Sequence, residues 1–537
     1  MSRKNLPYLL AGFLLLIPIS TYFLLLNQYA LNIPKWDDHG LRAFIDRTDK
    51  ATSVGGFLYA FWRQHNEHRI VYDRLISFFD YKLTGKLNFV HLMWVGNAAL
   101  PGIVLVWLRA TRKILSPLYL VPTAFFIFTL AQWENMYWGM ASLQNFGVLF
   151  WCFGCFYFLV YRPSIGIAVG MALLALCTSG NGLLAGPIGI LVLLVMNRKK
   201  DTIWWIICTL FMWGIYFWGY VTPERITAQV DNKVVSFIRS IFLFVGSAGD
   251  VFWPRKAMML FFILGIILVF FCLLIALQFL RKFVQRTLQP FDYFSLGIFL
   301  FILGTIGMVA LGRIGSDENV FSTSRYKIYS VLLLCFVYLW VVYNLPKRFQ
   351  WMGVVAGYGI AFFYWAGSNS FYYADTIRFN RTLQCWQFNW TDFSKPQDPN
   401  AINDPAPAFY DTCLTVINQP AQDSLPIKLQ GMASQIVFTA QATHPDDIFN
   451  SYYLFKSAQK NYLFPMDLIP NGKRFFWPSG FKHFQLTSVS SVAELEFKPG
   501  RYEILVLKTG PTCQLYHTNQ MLTITERPEP KPLNQNW

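Results

Sequence analysis

The 537-residue chain is expected to fold as a polytopic α-helical membrane protein of about eleven transmembrane helices, followed by a C-terminal β-sandwich-like extracytoplasmic domain. Three observations carry that expectation. Hydrophobic residues make up 54% of the chain and charged ones 14%, too little polar surface to clothe ordinary soluble domains. Apolar runs of about 20 residues recur through residues 1–370 and are separated by short basic clusters. Beyond them the runs shorten to strand length, and Pro, Asn, Asp and Ser become frequent. Aromatic residues, 18% of the total, gather near the ends of the apolar runs, where amphipathic rings suit a membrane interface.

The net charge of +16 is unevenly placed. From Asp375 onward 14 Lys and Arg balance 14 Asp and Glu, so the excess, 31 against 15, lies in the first 374 residues. It falls at Arg3/Lys4, Arg109/Arg112/Lys113, Arg162, Arg198/Lys199/Lys200, Arg281/Lys282/Arg286 and Lys347/Arg348. Short cytoplasmic loops carry such clusters, and nucleic acid is not needed as a partner to explain them. Spans over 7–27, 89–108, 117–132, 142–160, 164–179, 183–196, 202–221, 258–280, 292–311, 328–345 and 350–367 put every cluster on the cytoplasmic side. The apolar stretch 234–253 is left out, because as a span it would put Arg281, Lys282 and Arg286 outside; it reads as an interfacial or re-entrant helix. An odd number of spans and a cytoplasmic N-terminus place the C-terminal segment outside. The first span lacks a small-residue cleavage site and reads as an uncleaved anchor.

Two domains are expected: a membrane module over 1–370 with a long first outer loop at 28–88, and a β-rich domain over 371–537. In the latter, Gln435–Ala442, Ser451–Phe455, Glu494–Phe497 and Tyr502–Leu507 have strand composition, and Lys498-Pro499-Gly500 between the last two reads as a hairpin turn. Such a domain could bind glycan or cover the membrane face. Six of the nine cysteines sit in apolar runs as small packing residues. Cys385, Cys413 and Cys513 lie in the terminal domain, where an oxidising compartment permits one disulfide; Cys385 with Cys413 is the preferred pairing, although spacing alone does not fix connectivity.

Ionisable groups held against a membrane are costly and usually functional, and three outer loops concentrate them. The first contains Trp36-Asp37-Asp38 and then Glu67-His68-Arg69. Adjacent carboxylates can hold a divalent cation, Mg or Mn, or one can take a proton from a hydroxyl while the other orients it; Asp also favours helix N-termini, so a cap is the structural alternative. The second loop sets Glu134 and Asn135 among Trp133, Tyr137 and Trp138. Interfacial anchoring explains the rings but not the acid. The third holds Gly312-Arg313 and Ser324-Arg325-Tyr326-Lys327. Guanidinium forks suit a phosphate, the alternative being snorkelling charges.

Together these features resemble the GT-C superfamily of membrane glycosyltransferases. The strings Asn66-Glu67-His68-Arg69-Ile70, Trp133-Glu134-Asn135 with Trp138-Gly139, and Gly312-Arg313 with Ser324-Arg325-Tyr326 resemble a group of bacterial polytopic proteins related to that superfamily, over residues 1–370. The resemblance implies transfer of a sugar from a polyprenyl-phosphate donor to an extracytoplasmic acceptor, which is an envelope glycan, a lipid or a protein. It also implies a multi-pass location in the bacterial cytoplasmic membrane, surrounded by membrane lipid. An acid of the first outer loop, carried over to Asp37 and Asp38, would act as base or hold a metal, and Glu134 would be the second acid. The leaving phosphate needs cations and the acceptor hydroxyl a base. On that reading Asp38 is the general base and Asp37 its orienter. Arg313 and Arg325 bind the donor phosphate, helped by His68 or Arg69, while Trp36, Glu67, Trp133, Asn135, Trp138 and Tyr326 contact substrate. The pair is adjacent rather than a spaced Asp-x-Asp, which leaves the cation open.

Two other classes predict different features. A transporter or flippase of lipid-linked sugars should carry charges inside its spans or internal repeats. A non-catalytic envelope glycan-binding protein would need the terminal domain but not paired acids against the membrane.

Overall fold

A helix satisfies its own backbone hydrogen bonds, so long apolar runs can enter an apolar layer only in that form. The computed structural model follows this rule. It describes residues 6–161, 165–222, 232–251, 258–314, 318–390, 402, 416–417, 419–422, 427–432, 435–441, 450–470, 484–493, 496–509 and 513–525. Among the described residues, six helices are long and apolar enough to cross a membrane: Leu6–Tyr29, Phe89–Thr111, Gly139–Tyr161, Met259–Val284, Pro290–Gly312 and Ser324–Asn344. They mark the chain as a membrane protein. Three more expected spans correspond to shorter apolar helices, Pro117–Ile127, Ile165–Leu176 and Gly180–Val195. The shortening has local causes. Thr129 ends one run by accepting the Ala131 N–H on its hydroxyl (3.3 Å), and Ser179-Gly180-Asn181-Gly182 interrupts another.

Of the stretch 234–253, the described residues, up to Val251, do not form a membrane-length helix. Lys233–Val245 is a 13-residue helix capped by the Asn232 carboxamide oxygen, which accepts from the N–H groups of Val234 and Val235 (3.1 Å each), and a single 3-10 turn, Ser247–Val251, follows. This segment packs backbone to backbone on the Met258–Val284 helix. A Cβ on Gly246 would collide with the Phe261 carbonyl, and one on Gly265 with the Phe242 carbonyl, so only glycine permits the crossing. Ser330 ties the other side, donating from Oγ to the Val245 carbonyl (2.6 Å) and accepting from the Ala248 N–H (3.1 Å). Beside it the buried Lys327 ammonium pairs with the Asp250 carboxylate at 2.5 Å.

The chain divides into two compact units, one of Met1–Ala30 and Trp36–Asn369 with the two terminal residues, the other of Leu31–Lys35 and Ser370–Gln535. The helix Lys347–Trp390 belongs to the first unit up to Asn369 and to the second thereafter, so helix continues well beyond residue 367, where the last span was expected to end. Among its described residues the second unit holds eight strands: β1 (Ile427–Met432), β2 (Gln435–Gln441), β3 (Ser451–Lys456), β4 (Tyr462–Pro465), β5 (Leu468–Pro470), β6 (Phe484–Ala493), β7 (Gly500–Lys508) and β8 (Gln514–Ile524). They form two antiparallel sheets, ordered β1-β2-β6-β5 and β4-β3-β7-β8. Strand β3 is buried on both faces. Tyr452 and Leu454 pack with Cys385 and Phe388 of the helix, whereas Tyr453 and Phe455 meet Phe438 of the other sheet at ring distances of 5.0 and 5.2 Å. Helix, sheet and sheet are therefore stacked in three layers. Arg381 locks the helix down by donating to the carbonyls of Met466 and Ser451 (2.6 Å each), and Asn389 exchanges hydrogen bonds with the Leu463 backbone.

Two expectations change here. Lys498-Pro499-Gly500 is not a hairpin turn, because β6 and β7 lie in different sheets and the turn carries the chain between them. Phe497, expected in a strand, instead fills an aromatic cluster with Phe455, Tyr462, Phe464 and Tyr502. Cys385 and Cys513 pack into one core, while Cys413, and with it the Cys385–Cys413 pairing, lies outside the described residues.

Removing one partner of a buried ion pair strands the other charge, at a cost of about 3–5 kcal/mol. K327M should therefore lower the thermal midpoint of the detergent-solubilised protein sharply, and D250N/K327M should recover most of the loss. An equal drop in single and double variants would contradict the pairing.

Candidate functional site

The segment from Asp37 to His68 is built around two carboxylates that leave the backbone in different directions. Asp37 and Asp38 open the helix Asp38–Asp49, and Asp37 is its N-cap residue without making a side-chain cap bond. Successive residues at a helix start project about 100° apart. Asp38 turns inward, is fully buried, and accepts the Met140 N–H on Oδ1 (2.8 Å). It thus caps a different helix, Gly139–Tyr161, where orphan N–H groups and the positive end of the helix dipole favour an anion. Asp37 turns instead into a cavity of about 360 Å3, within the size range of small-molecule sites.

A tight turn faces Asp37 there. His65 and His68 exchange backbone hydrogen bonds of 2.9 and 2.8 Å, with Asn66 between them at φ +48°, a left-handed conformation that Asn tolerates. The turn is held from behind by Arg69, whose guanidinium donates to the carbonyls of Trp62 (2.8 Å), Tyr216 (3.2 Å) and Trp218 (2.7 Å). Tyr216 and Tyr220 donate their hydroxyls to the Glu67 carbonyl (3.1 and 3.3 Å). The turn therefore presents His65, Glu67 and His68 to the cavity. His68 Nδ1 accepts the Gly180 N–H (3.0 Å), which places the proton of the neutral ring on Nε2, 3.9 Å from the Glu67 carboxylate.

His65 Nε2 stands 3.7 Å from Asp37 Oδ1. Burial alone would raise the Asp37 carboxyl, but hydrogen bonding and charge from His65, with further attraction from Arg325 and His68, outweigh it and hold Asp37 below the usual carboxylate range. Asp37 is thus ionised wherever an ordinary aspartate would be.

The cations come from the segment between residues 313 and 326. Arg313 donates from Nη2 to the Tyr326 hydroxyl (3.1 Å), and the Arg325 guanidinium lies 5.2 Å from the Tyr326 ring centroid. All three line the cavity, as does Trp138. Two residues of the 133–138 segment position them. Asn135, fully buried, donates to the Arg325 carbonyl (2.8 Å) and accepts from the Asn145 carboxamide (2.8 Å). Glu134 accepts the Arg325 N–H at 3.4 Å, while its own N–H meets Ser324 Oγ (3.2 Å).

Of the residues singled out from sequence, Asp37, Glu67, His68, Trp138, Arg313, Arg325 and Tyr326 line this one cavity. Asp38, Arg69, Glu134 and Asn135 are not among its lining residues and hold the walls through the bonds just given. Trp36 packs edge-on against Trp138 at 5.4 Å from outside the lining, and Trp133 is also not a lining residue. His65, Gln144, Asn181, Tyr216, Tyr220 and Tyr329 line the cavity without having been singled out. Asn181 had a visible signal, a polar interruption in an apolar run; the tyrosines were hidden by the abundance of rings around them.

Of the adjacent acids, Asp38 engages the Met140 N–H through Oδ1, whereas Asp37 lines the cavity. Among the described residues no three His, Cys, Asp or Glu converge as metal ligands. Cys152 and Cys155 do have Cys-x-x-Cys spacing, but both are fully buried within a membrane-length helix. Compared with known proteins, the chain matches no family model, no curated sequence and no solved structure.

Arg69 satisfies three carbonyls of two segments, so R69A should cost several times the roughly 1 kcal/mol of an average hydrogen bond. It should lower the thermal midpoint more than R313A does. A smaller effect than that of R313A would show that the turn does not depend on the guanidinium.

Proposed function

We propose that the protein is a membrane glycosyltransferase of GT-C type that moves a sugar from a polyprenyl-phosphate donor to a hydroxyl of an extracytoplasmic envelope glycan, lipid or protein. One observation carries the proposal: an ionised carboxylate, Asp37, and two arginines, Arg313 and Arg325, line a single cavity in a membrane protein. Carboxylate and guanidinium are what the two ends of such a reaction need. The eleven-span topology, with a cytoplasmic N-terminus and the cavity open to the outer side of a bacterial cytoplasmic membrane, is part of the same proposal and is supported by the placement of the basic clusters.

In this mechanism Arg325 and Arg313 hold the donor phosphate. The bond from the sugar's anomeric carbon to the phosphate oxygen breaks, and the acceptor oxygen forms the new bond to that carbon. The acceptor proton passes to Asp37, and polyprenyl phosphate leaves with its added charge met by the guanidiniums. The base is therefore Asp37 rather than Asp38, whose carboxylate is committed to the Met140 N–H. Glu134 acts through the Arg325 backbone and not on substrate.

Purified protein given a radiolabelled undecaprenyl-phosphate sugar and an envelope acceptor fraction should release undecaprenyl phosphate. D37N should lower kcat by about 10^2–10^4-fold, the range of general base catalysis, and R325A should weaken binding of undecaprenyl phosphate by roughly tenfold or more, the value of a charge-assisted hydrogen bond. Full turnover in D37N would sink the assignment. Movement of intact lipid-linked sugar across a vesicle without release of undecaprenyl phosphate would favour a flippase instead.

The pH profile supplies a second test. Because His65 lowers the Asp37 pKa, H65Q should raise it, and the acid limb of kcat/KM should move to higher pH. An unmoved limb would separate His65 from the base.

A further inference from the structure

The lining of the cavity carries a pattern that the transfer chemistry does not use. Gln144 Nε2, Asn181 Oδ1 and Arg325 Nε, atoms of three lining residues, are buried and have no hydrogen-bond partner among the described residues. Unmet polar atoms are rare in folded interiors, and three around one cavity point to a polar ligand. Arg325 belongs to the phosphate end already assigned. The other two do not. Asn181 spends both hydrogens of its carboxamide within the protein, donating to the Tyr329 hydroxyl at 2.9 Å and to Thr305 Oγ1 at 3.3 Å. Its oxygen is consequently fixed as an acceptor. Gln144, on the Gly139–Tyr161 helix, offers the opposite function, an N–H donor. Trp138 adds an aromatic wall to the same cavity, and Tyr216 and Tyr220, their rings stacked at 5.9 Å and 27°, add another.

We infer that Asn181 and Gln144 form the subsite that reads the hydroxyl configuration of the donor sugar and so determine which sugar the protein accepts. This inference rests on the glycosyltransferase reading. The chemistry follows from the three kinds of group present. A hydroxyl can give a hydrogen bond to Asn181 Oδ1 and take one from Gln144 Nε2, whereas a purely anionic ligand meets only the second and an ammonium only the first. A pyranose presents several hydroxyls on a rigid ring and an apolar C–H face that suits Trp138. A sugar with the wrong epimer leaves one of the two buried groups unpaired, which weakens binding by roughly tenfold or more.

The test uses the full chain in lipid nanodiscs and four probes: bare undecaprenyl phosphate, and undecaprenyl phosphate carrying glucose, galactose or mannose. Wild-type protein should rank the three glycolipids over a range of about tenfold or more. N181A and Q144L should each compress that range to less than about threefold while leaving affinity for bare undecaprenyl phosphate unchanged. Q144L leaves the Asn181 bonds to Thr305 and Tyr329 in place, so it decides the matter if N181A does not elute as a folded protein. Equal wild-type affinity for all three glycolipids, or variants that weaken the bare lipid as much as the glycolipids, would overturn the inference while the transferase reading stands. If R325A binds bare undecaprenyl phosphate as tightly as wild type, the transferase reading fails first, and the sugar subsite with it.

Discussion

Asn135, itself fully buried, donates its carboxamide hydrogen to the Arg325 carbonyl and accepts from the Asn145 side chain. In such surroundings a polar group must be met by another polar group or the segment cannot be buried at all. That requirement links residues about 190 positions apart in the chain and sets where the Arg325 backbone lies. Ser324 donates to the Ala131 carbonyl and Glu134 accepts the Arg325 N–H, so the 131–135 segment holds the 324–326 segment at three points. The arginine and tyrosine side chains are then free to face the cavity. Loss of Asn135 would therefore reach the cavity through Arg325 rather than through any contact of its own with a ligand.

The opposite wall obeys the same rule with different chemistry. Arg69 is cationic, as the phosphate-binding role expected for it requires, but its guanidinium donates to the backbone carbonyls of Trp62, Tyr216 and Trp218, and its function is to hold the 65–68 turn. Asp38 likewise satisfies a helix N-terminus. Each of these charges is compensated inside the scaffold. Asp37, Glu67, Arg313 and Arg325 instead line the cavity, where they can act on something that enters it.

Much of this was legible in sequence, and the remainder was not for definable reasons. The three charged loops were visible because ionisable residues beside apolar runs are conspicuous. The identity of the exposed acid was not, since a single residue step around a helix start separates Asp37 from Asp38 and adjacency in sequence conceals it. Gln144 and Asn181 have apolar neighbours that dominate any window, and only Asn181 stood out. In the terminal unit, Ser451–Phe455 read correctly as a strand, and its unbroken apolar character was a sign of burial on both faces. The Lys498-Pro499-Gly500 turn misled because a turn signal states that the chain reverses, not that the strands on either side pair with one another. Span lengths were overestimated wherever Thr129 or the Ser179–Gly182 segment breaks an apolar run, because hydropathy averages over a cap that backbone hydrogen bonding obeys.

The central claim is that the cavity holds a lipid-linked phosphate between Arg313 and Arg325 with Asp37 facing the reacting carbon. An electron cryomicroscopy structure of the full chain in nanodiscs with undecaprenyl-phosphate glucose tests it directly. The account predicts phosphate density against the two guanidiniums, with the sugar between them and the Asp37 carboxylate. Phosphate bound elsewhere on the protein, with no sugar in this cavity, would contradict it.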